Sequence, residues 1–308
     1  MSGNSINGVI NVYKEKGYTS HDVVAKLRGI LKIKKIGHTG TLDPDAEGVL
    51  PVCIGNATKL CDFLTEKDKE YIAQLILGKQ TDTQDISGVI LNESKKYQDI
   101  SFDEIERAIL SFTGEYNQIP PMYSAVKVKG KKLYELARKG IEVERKSRKV
   151  CIHKIIIEDV NLPVIRIRVC CSKGTYIRTL CNDIGMKLGT FGCMGELLRT
   201  KTGRFTLEDS VRLDRIQKLA EAKTLSESGI LIKTDEILSD YKRLTVKEKY
   251  EKMLWNGNPL AQNMFFETEC EKKDGSMYRI YDSKDRFEAV YRYEEKDDIF
   301  KPEKMFKC

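Results

Sequence analysis

The chain has 308 residues, room for one large or two modest domains whose core needs no disulfide or metal staple. With 41% hydrophobic and 32% charged residues it reads as a folded protein, and no run approaches the roughly 18 apolar residues of a membrane span. Lys and Arg outnumber Asp and Glu by 53 to 46, a formal charge of +7 that permits a polyanionic partner without demanding one.

Gly8–Tyr13 reads as a strand. Thr19 or Ser20 can cap a helix running to about Leu31, with Asp22 in its positive first turn. Lys32–Asp45 is a loop rich in Gly, Thr and Asp; Val49–Ile54 is strand-like, and Asn56 can cap a short helix through Leu64. Glu70–Leu77 is a strand and Gln80–Gly88 a polar loop. Ser101 and Glu104 have capping-box spacing for a helix over Phe102–Phe112. Pro120 and Pro121 force an extended start on the next stretch, after which Leu133–Arg138 looks helical. Val150–Val160 and Val164–Cys171 are strands, the second alternating Ile165, Ile167 and Val169 with Arg166 and Arg168. Thr175–Leu188 and Leu213–Ala222 are helical. Near Tyr241 the texture turns to charge and aromatics, with strand-like runs at Ser276–Asp282 and Phe287–Tyr293. This order predicts an α+β fold on a central, mainly antiparallel or mixed sheet over residues 1–240, then a small β-rich domain over 241–308. Neither a G-x-G-x-x-G nor a G-x-x-x-x-G-K-[ST] phosphate loop is present.

The nine cysteines are odd in number and form no C-x-x-C pair, which suits free thiols in a reducing cytosol. The polar start Met1–Asn7 has no apolar signal region, so a cytoplasmic location is expected. His21, His38 and His153 show no metal-ligand spacing, and no metal is expected.

Four runs carry possible chemistry. Gly37–Leu50 (GHTGTLDPDAEGVL) shapes a tight backbone around Asp43, whose direction Pro44 constrains. An Asp before Pro is ordinarily a turn residue; here it can also be a nucleophile, or can pair with Asp45 or Glu47 in acid/base hydrolysis. Lys69-Glu70-Tyr71 opens a strand, where a Tyr is usually packing. Lys173–Leu180 (KGTYIRTL) places Tyr176 and Arg178 in the first turn of a helix. Pro120–Arg138 mixes Tyr123 and Tyr134 with lysines, as single-stranded nucleic-acid sites do, or as a solvated surface hairpin does.

Taken together and in this order, these runs resemble the TruB family of tRNA pseudouridine synthases. Asn56–Leu60, Gly78–Asp85, Gly195–Arg199 and Thr202–Phe205 extend the resemblance, which covers most of Gly8 to about Ala222. The tail resembles, weakly, the PUA-type RNA-binding domain that often follows. The family's early Lys-Pro-x-Gly-x-Thr-Ser appears without its Pro as Lys14-Glu15-Lys16-Gly17-Tyr18-Thr19-Ser20, and neither Lys is given a site role.

The resemblance implies isomerisation of uridine 55 in the tRNA T-loop to pseudouridine, with no cofactor. It implies Asp43 as the catalytic carboxylate, attacking ribose C1′, assisting departure to a glycal, or adding to C6 of the base. Arg178 would keep Asp43 ionised, and Tyr71 would stack on the base near C5. Tyr176 and Leu197 or Leu198 would line the pocket, and His38 would stack into the T-loop vacated by the flipped base. Lys59 and Asp82 would lie close by. Residues 117–147, with Lys127, Lys129 and Arg138, would clamp the RNA. The implied partner is a tRNA T stem-loop, bound by a monomer without membrane or obligatory protein partner. A catalytically silent RNA-binding or tRNA-folding protein and a guide-dependent ribosomal RNA synthase are the alternatives.

Overall fold

The computed structural model describes residues 6–268 and 272–306; most of the polar stretch Met1–Asn7 lies outside them. A ten-stranded sheet organises the first three-quarters of the chain. Its main path runs Leu231–Ile232, Gly8–Lys14, Glu47–Ile54, Gly192–Thr202, Lys69–Leu77, Val164–Cys171, Arg148–Asn161 and Gly114–Gln118. These neighbours are antiparallel except where Gly192–Thr202 runs parallel to Glu47–Ile54. The fold is that of an α+β protein on a mixed, mainly antiparallel sheet, as the order of elements predicts.

The apolar run Val49–Ile54 is continuous because both faces of that strand are covered. Leu50, Val52 and Ile54 pack with Ile10 and Val12 under helices Ser20–Leu31 and Leu213–Glu221. Val49, Cys53 and Val9 face the other way, against Ile237, Leu238, Val290 and Phe306. A third cluster joins strand Lys69–Leu77 to helices Phe102–Leu110 and Ile177–Lys187. A separate five-stranded sheet contains Lys242–Thr245, Leu260–Ala261, Met277–Tyr281, Phe287–Glu294 and Ile299–Met305.

Two helix starts follow their signals. Thr19 forms a reciprocal box with Asp22, and Ser101 one with Glu104, each worth about 1 kcal/mol. Three expectations shift. Gly55–Leu60 is a 3-10 turn before helix Cys61–Thr65, and Asn56 lies inside that turn, its N–H donating to Asn7 Oδ1 at 2.7 Å, rather than capping a helix. The polar loop after Gly78 holds a short strand, Lys79–Thr81, paired with Ile90–Glu93. The helix expected from Thr175 begins at Ile177, so Tyr176 sits at the N-cap position in extended conformation rather than in the first turn.

Candidate active site

The loop bearing Asp43 is pinned at four carbonyl or amide groups. The Leu42 N–H donates to Ser20 Oγ (2.9 Å), and Lys14 Nζ donates to the Pro44 carbonyl (3.0 Å). Arg199 donates to the carbonyls of Gly40 (3.3 Å) and Val49 (2.7 Å). Leu42 and Ala46 anchor the loop in the core, while Asp43 between them keeps its side chain 39% exposed. The register explains Gly48: it lies beside Arg199 with φ +105°, and a Cβ there would meet the Arg199 carbonyl at 2.2 Å.

Arg178, 6% exposed, meets this carboxylate with two donors: Nε to Oδ2 at 3.0 Å and Nη2 to Oδ1 at 3.3 Å. The same guanidinium donates to the carbonyls of Tyr123 (2.8 Å) and Thr83 (3.2 Å) and to Asp85 Oδ2 (3.4 Å). Burial pushes the Asp43 carboxyl above its ordinary value; Arg178 opposes this, and the second carboxylate, Asp85, adds to it.

Tyr71 is buried in strand Lys69–Leu77, opposite Arg199 in the neighbouring strand and in one core cluster with Leu42, Ala46, Ile177 and Leu197. Burial raises its phenol, and Arg199 pulls the other way by charge and hydrogen bond. Leu198 is half-buried beside Glu47. His38 accepts from the Gly40 N–H through Nδ1 (3.3 Å), and burial followed by Arg199 lowers its pKa, which favours the neutral ring. Asp82 accepts from the Val89 N–H (2.8 Å) and from the Tyr123 hydroxyl (3.5 Å), one link away from Arg178.

Lys59 is not brought to the site. Its Nζ donates to the Met305 carbonyl (2.6 Å), so it ties the 3-10 turn Gly55–Leu60 to the C-terminal strand. Lys127 and Lys129 stand exposed on the hairpin of Lys127–Val128 and Lys131–Lys132, and Arg138 lies 5.5 Å from the Tyr134 ring centroid beyond it. Sequence reasoning missed Lys14, Asp85 and Arg199. Arg199 and Asp85 close two of the matched stretches, and Lys14 opens the early motif; that Lys14 and Arg199 would be buried, and that Asp85 would meet Arg178, carried no local signal.

Residues 28–177 match the profile of the TruB family pseudouridylate synthase N-terminal domain, and residues 178–244 that of the tRNA pseudouridylate synthase B C-terminal domain. The tRNA pseudouridine synthase B of Lachnoclostridium phytofermentans is 51% identical, covering 98% of this chain and all of that protein. That of Listeria monocytogenes is 44% identical over 97% of this chain and 98% of its own length. The fold also matches a chain in the crystal structure of a Cbf5-Nop10-Gar1 complex, with TM-score 0.72, 27% identity, and coverage of 97% of this chain and 85% of that one. The chain belongs to the TruB family of pseudouridylate synthases.

Proposed function

We propose that this protein is a tRNA pseudouridine synthase that isomerises uridine 55 of the T-loop, with Asp43 as its catalytic carboxylate. The observation that carries the reading is the two-donor pairing of Arg178 with Asp43 beside the buried Tyr71. The near full-length relatives carry the name tRNA pseudouridine synthase B. The bond from C1′ to N1 breaks, the uracil turns, and a bond from C1′ to C5 forms. The C5 proton leaves and N1 gains one, so the balance needs no cofactor. Asp43 stabilises the electron-poor C1′ by attack or by assisting the glycal path, and Arg178 holds it ionised and aimed. Tyr71 stacks on the base and lies on the path of the C5 proton, with Tyr176, Leu197 and Leu198 around it.

His38 fills the stack left by the flipped nucleotide, and a neutral ring suits that role. Residues 117–147 act as the clamp, with Lys127, Lys129 and Arg138 on phosphates, and 241–308 form a PUA-like RNA-binding domain. The protein works as a cytoplasmic monomer without a guide or protein partner. The experiment is Asp43→Asn with a T stem-loop transcript and no guide RNA. Pseudouridine formation is expected to vanish while RNA binding persists; normal turnover in the variant overturns the catalytic reading. Failure of the unmodified protein without a guide overturns the stand-alone reading.

A further inference from the structure

Strand Gly114–Gln118 ends where the proposed clamp begins, and its last residue is a polar side chain only 1% exposed. A buried amide is costly unless all its strong groups are used. Gln118 uses both ends on one residue: Oε1 accepts from the Tyr176 N–H at 2.7 Å, and Nε2 donates to the Tyr176 carbonyl at 2.9 Å. The side chain thus pairs with a backbone as a neighbouring strand does. Tyr176 is the N-cap residue of helix Ile177–Lys187, and its own side chain makes no cap bond. Its carbonyl also accepts the Leu180 N–H, a bond of the helix's first turn (3.1 Å). Two bonds to one residue at the helix start fix its rotation as well as its position.

Arg178 is two residues into that turn, so its approach to Asp43 depends on that rotation. The same short segment touches the helix again, through the Tyr123 carbonyl on Arg178. Pro120 and Pro121 lie between the two points of attachment and stiffen the span. We infer that Gln118 is a positioning residue for the Asp43–Arg178 pair, joining the root of the clamp to the helix that carries the arginine. The inference rests on the proposed roles of Asp43 and Arg178.

The test uses the full chain with Gln118→Leu, which removes both bonds to Tyr176 and the contact with the Tyr116 hydroxyl at similar size, and Gln118→Glu, which keeps an acceptor for the Tyr176 N–H and loses the donor once its carboxyl is ionised. Single-turnover rates and Kd for a T stem-loop transcript are measured across pH. A misplacement of this kind costs about 10- to 100-fold in rate, so Gln118→Leu should lose that much with Kd changed less than about 3-fold. Gln118→Glu should fall between it and the parent. The acid limb of the rate profile should also move to higher pH. Arg178 and Lys14 favour the ionised Asp43 while Asp85 and Asp45 oppose it, and loosening Arg178 leaves the opposing groups in place. A parental rate and pH profile in Gln118→Leu, or a loss wholly in Kd, overturns the inference. If Gln118→Leu does not fold, parental values in Gln118→Glu at the alkaline end of the profile, where the introduced carboxyl is ionised, do the same. Asp43→Asn run alongside separates the failures: an active Asp43→Asn removes the catalytic reading itself, whereas an inactive one beside a parental Gln118→Leu removes only this inference.

Discussion

Asp43→Asn should abolish turnover and leave the fold as stable as before, or more so. The native carboxylate is paired with Arg178 and shares that guanidinium with Asp85. An ion pair at ~4 Å and an effective dielectric of ~20 gains about 4 kcal/mol. With the Asp43 side chain 39% exposed, solvent screens part of that gain. Desolvation costs several kcal/mol per ion, and the upward direction of the Asp43 pKa says that burial and Asp85 outweigh Arg178. A carboxyl with a raised native pKa binds its proton more tightly when folded. Ionisation therefore costs stability once pH exceeds the ordinary value of 3.8, and the full cost is present above the raised native value. Asn removes that cost and leaves Arg178 with Asp85 and the two carbonyls. Removing such functional-site strain typically stabilises by about 0.5–2 kcal/mol, read as a melting rise of roughly 2–4 °C per kcal/mol. Thermal unfolding by circular dichroism checks it, with pH stepped from 7.5 towards 4. The variant's advantage should shrink as pH falls. A loss exceeding about 1 kcal/mol at pH 7.5, or a difference that grows on acidification, would show that Asp43 anchors the fold and refute the reasoning.

Three further outcomes are expected. Tyr71→Phe keeps the ring in its core cluster but removes the hydroxyl; single-turnover rate should drop at least about 100-fold with Kd within about 3-fold, and stability should move by no more than ~1.5 kcal/mol. Lys59→Ala should leave the single-turnover rate unchanged but destabilise by about 1 kcal/mol, seen as a melting shift, because the deleted bond goes to Met305 rather than to Asp43 or Arg178. Replacing Lys127 and Lys129 by Gln should reduce the salt slope of RNA binding by about 1 for each phosphate that is no longer neutralised, measured as Kd against ionic strength; an unchanged slope would take these lysines off the RNA.

Legibility followed range of interaction. The capping boxes of Thr19 and Ser101 and the alternation of Ile165, Ile167 and Val169 are local, and the helices and strand appear where those signals put them. Tyr176 stands outside the helix that its sequence neighbours suggest because what stabilises that helix start is Gln118, 58 residues away in the chain. Asp85 reads as one polar residue among several in a loop; its importance comes from Arg178, 93 residues further on. Lys59 differs in the opposite sense. A Lys in a matched stretch invites a site role, yet its partner is 246 residues away at the far end of the chain.

Net charge is a poor guide for a related reason, since several cations that matter most are not on the surface. Lys14, Lys69 and Arg199 are all buried. Lys14 is held by the carbonyls of Glu15, Tyr18 and Pro44, Lys69 by those of Thr65 and Lys67, and Arg199 by those of Gly40 and Val49. Carbonyl dipoles satisfy the donors without cancelling the charge. Burial accordingly pulls both lysines down to about 8, and Arg199 adds to the fall in each. The remaining positive field acts on the groups around it: Lys14 favours the ionised form of Asp43, while Arg199 favours ionisation of Tyr71 and neutrality of His38. Lys14 and Arg199 fix the loop from Gly40 to Val49 through its own carbonyls, and Lys14 acts with Arg178 against the burial that disfavours an anionic Asp43. Placing carboxylates on those cations would have satisfied the charges equally well, but would have removed the field that Asp43 and Tyr71 experience.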